Sequence, residues 1–336
     1  MAGEINRRIV LANRPRGEAT VDNFRYEEVS VPEIGPGQVL VRNEYLSLDP
    51  YQRRRMDELQ NYAPPHPVGK AMIGQTVGEV VASSCPTVAV GQTVLTTGGW
   101  QDYSVVAGDA LRVLPETGLP ISVHLGLLGL TGLTAHYGLA TICDPKPGQT
   151  VLVSAASGAV GGAVGLLARH RGARAVGFAG GPEKCAYAER ELGYSACIDY
   201  KLHQDEAALS DAVAEACPDG VDCIFENVGG RILDAGMRHV NPFGRIALCG
   251  MIAGYEEEPI PMRDPGILLW QRIRLQGFII GEHSDAWPAA LEELTACALS
   301  LDRLPRETVA QGLASAPEAF LGMLRGCNLG KQLVRL

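Results

Sequence analysis

The chain has no run of the roughly 20 apolar residues that a membrane-crossing helix needs, and residues 1–16 lack the apolar core of a secretory signal. A soluble, cytoplasmic protein is expected. Nine cysteines, at 85, 143, 185, 197, 217, 223, 249, 297 and 327, include no C-x-x-C pair, which argues against a zinc knuckle and against a disulfide framework. They read as reduced thiols, several of them small hydrophobes inside apolar runs. Basic clusters are scarce. The run Arg53-Arg54-Arg55 is short and reads as a solvated loop face, and a net charge of −9 argues against nucleic acid or an anionic membrane as partner. The seven histidines show no metal-ligand spacing, and no repeat, low-complexity tract or long linker interrupts the chain.

What is present fills two domains: 336 residues, 46% of them hydrophobic, exceed one ordinary core. From Thr150 onward, short apolar runs at Thr150–Ser154, Arg174–Phe178, Ala196–Asp199, Val221–Phe225, Gly244–Cys249 and Leu275–Ile280 read as strands. Helical stretches at Val160–Arg171, Glu183–Leu192, Glu206–Ala216, Ile232–His239 and Pro265–Arg272 separate them, which predicts a doubly wound parallel α/β sheet of Rossmann type. The first 120 residues instead carry β runs at Gln38–Arg42, Thr76–Val81, Thr93–Thr96 and Tyr103–Val106, punctuated by Gly and Pro, which suggests a partly open antiparallel barrel. One helix, Ala316–Arg325, and a returning strand within Asn328–Arg335 close the chain. The expected division is therefore 1–121 with 302–336 for the β domain and 122–301 for the inserted sheet domain, with ligand in the cleft between them.

The segment Ala155-Ala156-Ser157-Gly158-Ala159-Val160-Gly161-Gly162 lies directly between the first of these strands and its helix. A tight turn of small residues there aims free backbone N–H groups and the positive end of a helix dipole at one spot, which suits a pyrophosphate. Sheets that bind NAD place a carboxylate at the end of the second strand for the ribose hydroxyls. This chain reads Ala179-Gly180-Gly181-Pro182-Glu183-Lys184, with a lysine within a turn of the strand end and a phenol, Tyr200, closing the third strand. That pattern favours a cofactor with an added phosphate. Glu183, on the first helical turn, is accounted for by the helix dipole and can face solvent.

Further landmarks are Ser47-Leu-Asp-Pro-Tyr-Gln-Arg53, Gly98-Gly-Trp-Gln-Asp-Tyr-Ser104, Gly132-Leu-Thr-Ala-His-Tyr-Gly138, Glu226-Asn-Val-Gly-Gly230, Phe243-Gly-Arg-Ile-Ala-Leu-Cys-Gly250 and Gly326-Cys-Asn-Leu-Gly-Lys331. In order and spacing they resemble the zinc-independent, NADPH-dependent double-bond reductases of the medium-chain dehydrogenase/reductase superfamily, over nearly the whole chain. The resemblance implies a GroES-like β-barrel domain with an inserted Rossmann domain, and NADPH/NADP+ as cofactor. It implies that Gly158, Ala159, Val160 and Gly161 line the pyrophosphate, that Lys184 and Tyr200 hold the adenosine 2′-phosphate, and that Asn227 and Asn328 contact the ribose-phosphate of the nicotinamide half. The run from Cys249 and Gly250 to Tyr255, with Phe278, Ile279 and Ile280, would border the nicotinamide.

Zinc alcohol dehydrogenases carry a catalytic Cys and a His-Glu pair after a barrel glycine. Here Gly74 is followed by Gln75 and Thr76, so no metal is expected. Metal-free chemistry fits hydride delivery to the β carbon of an α,β-unsaturated ketone or aldehyde, with the enolate oxygen met by a phenol or a cofactor hydroxyl and the α carbon protonated from solvent or a tyrosine. Tyr255 is the first candidate for that phenol and Tyr51 the second. A hydrophobic enone is the expected substrate, with pocket walls from loops around Tyr51, Trp100, Arg263 and Tyr255. His136 reads as a helix histidine satisfied by a backbone carbonyl, and Glu256-Glu257-Glu258 as a solvated loop. The apolar sixth strand, at a sheet edge, predicts a homodimer through that edge. Quinone reduction on the same fold and non-catalytic NADPH binding are the alternatives.

Overall fold

The structure, a computed structural model, describes residues 4–58, 62–255 and 260–336. The chain divides into two units, one made of Met1–Leu125, Glu307–Asn328 and Gln332–Leu336, the other of Gly126–Arg306 and Leu329–Lys331. Its crossings at Leu125/Gly126 and Arg306/Glu307 lie a few residues beyond the boundaries expected from sequence, and three residues of the tail belong with the second unit.

In the first unit, the described strands Glu307–Gln311, Lys331–Arg335, Gln38–Ser47, Thr76–Ser83, Thr93–Thr96 and Arg112–Val113 are neighbours in that order, and Tyr103–Ala107 also pairs with Gln38–Ser47. The tail strand runs antiparallel to Gln38–Ser47, with Leu333 opposite Ser47. A hairpin, Ile5–Leu11 with Phe24–Ser30, had no expectation from sequence, nor had Glu307–Gln311. One core of this unit gathers Ile9, Leu11, Phe24, Leu46, Leu48, Met56, Met72 and Phe320 around Trp100, which is 0% exposed. The Trp100 ring stacks on Phe24 with centroids 5.4 Å apart. Trp100 is therefore core rather than pocket wall, because its indole meets two other rings at stacking distance.

The second unit alternates strands with helices. Strands β1 (Thr150–Val153), β2 (Arg174–Ala179), β3 (Ala196–Asp199), β4 (Val221–Glu226), β5 (Val240–Leu248) and β6 (Arg274–Gly277) form a parallel sheet ordered β3-β2-β1-β4-β5-β6. This is the doubly wound order in which the strand sequence reverses between β1 and β4, so the open crevice lies beyond their carboxyl ends. Every residue of β1 is buried, which explains a continuous apolar run in place of alternation: helices cover both faces. Those helices include α1 (Leu130–Tyr137), α2 (Ala159–His170), α3 (Pro182–Glu191), α4 (Glu206–Ala216), α5 (Gly230–Met237), α6 (Gly266–Trp270) and α7 (Trp287–Ser300).

The expected sixth strand, Leu275–Ile280, is shorter in the structure. β6 does sit at the sheet edge, but it ends at Gly277 and is largely exposed. Phe278 leaves the ladder for an aromatic cluster, its ring 5.5 Å from Tyr137 and edge-on to Phe225 at 6.4 Å. Gly138 makes that cluster possible, since a Cβ there would lie 2.5 Å from the Phe225 ring.

Candidate functional site

Three clusters line the carboxyl ends of the parallel strands. The first is the turn from Ser154 to Gly161. Ala155 sits at φ +52°, a left-handed conformation uncommon for a residue with a Cβ, and its carbonyl accepts the Gly158 N–H at 2.9 Å. A Cβ on Gly161 would lie 2.3 Å from that same carbonyl oxygen, so only glycine lets α2 start so close to the turn. No side chain caps α2, whose first-turn N–H groups belong to Ala159, Val160 and Gly161. An uncapped helix start after a tight turn at the switch point is the arrangement that accepts a pyrophosphate. The tail braces it: Gly158 bridges to Gly330, whose N–H donates to the Ser157 carbonyl at 3.0 Å. Asn328 directly precedes that tail stretch in the chain.

The second cluster lies at the ends of β2 and β3. Gly181 takes φ +104° as N-cap of α3, and its N–H donates to Asp199 Oδ1 at 2.8 Å, an oxygen that also accepts the Lys201 N–H at 3.1 Å. The carboxylate at the end of β3 is thus committed to the backbone. Above Gly180, the Tyr200 hydroxyl lies 2.7 Å and Lys201 Cε 3.0 Å from where a Cβ would stand, so this glycine leaves room for both side chains. Lys184 is half-buried on the first turn of α3, and Glu183 is exposed. Lys201 is a functional candidate that the sequence does not single out, although it follows Tyr200 directly.

The third cluster joins β1, β4 and the loop after β5. Glu226, 1% exposed, accepts through Oε1 from the Ser154 hydroxyl at 2.9 Å and from the Val228 and Gly229 N–H groups at 2.6 Å each. Burial pushes its carboxyl up, and the donors from Gly229, Val228 and Ser154 oppose that. The Cys249 and Gly250 N–H groups donate to the Glu226 carbonyl, which draws the two chain segments together. At Gly250 the space of a missing Cβ is 3.2 Å from the Asn227 carbonyl and 3.5 Å from the Tyr255 hydroxyl. Asn227, Gly250 and Tyr255 therefore meet at one point. Cys249 is half-buried, and burial together with Glu226 pushes its thiol up to about 12, which keeps it an inert neutral group. The buried Glu226 has a sequence signal, a carboxylate directly after the apolar run Val221–Phe225, which in the sequence marks it only as the start of the Glu226–Gly230 landmark.

The remaining candidates fall elsewhere. Phe278 belongs to the aromatic cluster, Ile279 is half-buried and Ile280 is buried, its carbonyl accepting from the Trp287 indole at 3.3 Å. Tyr51 opens the short helix Tyr51–Arg55 of the first unit, where burial and then Asp49 push its phenol up. Arg263 forms an ion pair with Glu206 at 2.9 Å. His136 meets a carboxylate, not a backbone carbonyl: its Nε2 is 2.9 Å from Glu293, which Arg171 also grips. Glu256-Glu257-Glu258 lie outside the described residues. Among the described residues no three His, Cys, Asp or Glu side chains gather as a metal site.

Residues 7–114 match the family described as the N-terminal domain of oxidoreductase, and residues 159–296 the family described as zinc-binding dehydrogenase. The chain is 43% identical to the NADPH-dependent curcumin reductase of Escherichia coli (strain K12), over 98% of this chain and 97% of that one. It is 37% identical to the 2-alkenal reductase (NADP(+)-dependent) of Nicotiana tabacum, over 99% and 98%. Among solved structures it resembles CurA from Vibrio vulnificus in complex with NADPH, with a TM-score of 0.91, 40% identity and 98% of each chain covered.

Proposed function

The chain belongs to the NADPH-dependent double-bond reductases of the medium-chain dehydrogenase/reductase superfamily, and from that membership we propose that it reduces the C=C bond of α,β-unsaturated ketones and aldehydes with NADPH. The observation that carries this reading is the likeness, along 98% of the chain, to a structure that contains NADPH. The residues present fit that cofactor. Gly161 lets α2 begin hard against the Ala155 carbonyl, Gly180 admits the Tyr200 and Lys201 side chains to the strand ends, and α2 begins with no side-chain cap.

NADPH held along these three clusters supplies the hydride to the β carbon of the conjugated carbonyl. The chain's own part is to bind and to manage protons. Gly158, Ala159, Val160 and Gly161 cradle the pyrophosphate, and Lys184 and Tyr200 grip the 2′-phosphate at the end of β2. Asn227 and Asn328 hold the nicotinamide-side ribose, with Cys249 and Gly250 beside the ring. The Tyr255 hydroxyl, beside Gly250, donates to the developing enolate oxygen. Tyr51, whose phenol burial keeps protonated, is the second candidate for that one donor.

The exposed edge of β6 supports a homodimer through that strand, and nine cysteines in the free state suit a reducing compartment, the cytoplasm. A monomeric mass by light scattering would exclude the dimer. The activity is tested by following the reduced nicotinamide band with conjugated ketones and aldehydes, each paired with its saturated counterpart. Loss of absorbance with the conjugated partner alone is expected, and no rate above the cofactor-only control would overturn the assignment.

A further inference from the structure

We propose that Glu226 is a positioning residue which, through Ser154, fixes the Asn227 amide so that its carbonyl oxygen faces the cofactor and accepts from a hydroxyl of the nicotinamide-side ribose. The proposal rests on the NADPH reading above and adds an acceptor role that excludes phosphate as the partner of that oxygen.

The chain of bonds runs one way. Ser154 has one hydroxyl hydrogen, and it goes to Glu226 Oε1 at 2.9 Å. With that hydrogen spent, Ser154 Oγ serves as an acceptor and takes the Asn227 backbone N–H at 2.7 Å. Asn227 is thereby held against the end of β1, where its Nδ2 donates to the Ser154 carbonyl at 2.8 Å. Turning the amide over would set two acceptor oxygens against each other at that distance, so the network decides the orientation. The same Glu226 oxygen accepts the N–H groups of Val228 and Gly229, which curls the chain just past Asn227 and leaves Gly229 at φ +80°. What Asn227 then offers to a ligand, besides the second hydrogen of Nδ2, is Oδ1, an acceptor. A ribose hydroxyl can donate to it, whereas an ionised phosphate cannot.

The test is a double-mutant cycle on nucleotide affinity, read for NADPH and NADH, which share the ribose in question. Glu226→Ala, which removes the acceptor that Gln would keep, is expected to weaken both nucleotides by the same factor, about tenfold, while kcat moves less than about threefold. Ser154→Ala is expected to act in the same direction. In an Asn227→Ala background, Glu226→Ala should add less than about a further twofold, because its effect passes through the missing amide. A merely structural carboxylate would lower Tm without this coupling. An undiminished effect in the Asn227→Ala background, or a loss confined to NADPH, overturns the proposal. Should Glu226→Ala fail to fold, the cycle of Ser154→Ala with Asn227→Ala decides on the same criteria. Wild-type protein that binds neither nucleotide overturns the cofactor reading as well, whereas normal wild-type binding with indifferent Glu226→Ala and Ser154→Ala overturns this proposal alone.

Discussion

The Tyr194 hydroxyl donates a 2.6 Å hydrogen bond to the carbonyl oxygen of Gly161. The bond ties the segment after α3 to the first turn of α2, and two glycines make the slot for the ring. A Cβ on Gly165 would lie 2.3 Å from Tyr194 Cε2, and one on Gly177 3.1 Å from the ring. Tyr194→Phe is expected to cost about 1 kcal/mol by urea denaturation, and Gly165→Ala about 2 kcal/mol or more from overpacking. Equal stability of Gly165→Ala and wild type would show that the slot is not tight.

The proposed contact of Lys184 with the 2′-phosphate makes it the residue that sets nucleotide preference. Lys184→Ala should weaken NADPH by about tenfold to a hundredfold, the scale of a lost charge-assisted hydrogen bond, and leave NADH within about twofold. Titration calorimetry with the two nucleotides checks this, and an equal loss for both would reject the assignment of Lys184 to the 2′-phosphate.

Tyr255→Phe should lower kcat about a hundredfold with little change in NADPH affinity, the effect of removing one donor aimed at developing charge. Tyr51→Phe is the comparison: a larger loss there would move the donor's role to the first unit. Because burial and Asp49 both push the Tyr51 phenol up, kcat should show no alkaline limb from Tyr51 below about pH 10.

Acid stability carries a mark of His124. Burial, and then Arg112, push its imidazole down to about 4, and its Nδ1 has no partner among the described residues. The unfolded chain therefore binds a proton that the folded one refuses, so stability is full above about pH 6.5 and falls as the pH drops through the folded value, by up to about 3 kcal/mol. His124→Phe should flatten the decline in urea midpoint between about pH 6.5 and 4. An unchanged slope would assign it to other groups.

The parallel sheet was legible in the sequence because strands covered on both faces are written as unbroken apolar runs, as in Thr150–Val153, and the helix Glu206–Ala216 was legible from its apolar period. Glycine and lysine positions at the strand ends pointed to the candidate site. Residues whose meaning depends on a distant partner were not legible. Phe278 looked like one more strand residue until Tyr137 and Phe225 drew it out of the ladder, and Trp100 looked like a loop aromatic until Phe24 and Phe320 enclosed it. His136 depends on Glu293, 157 positions away. Ser154 and Glu226 are 72 apart, so the bond that organises Asn227 had no local signature.

Gly330 sits at φ +71° with the Arg306 carbonyl only 1.9 Å from where a Cβ would stand, and its N–H holds the Ser157 carbonyl. The second unit is consequently not a detachable cassette. A fragment cut at Gly126 and Arg306 would keep all six parallel strands yet lose the strap that reaches its turn from the far end of the chain, so grafting this half into another reductase calls for carrying Leu329–Lys331 along as a separate piece.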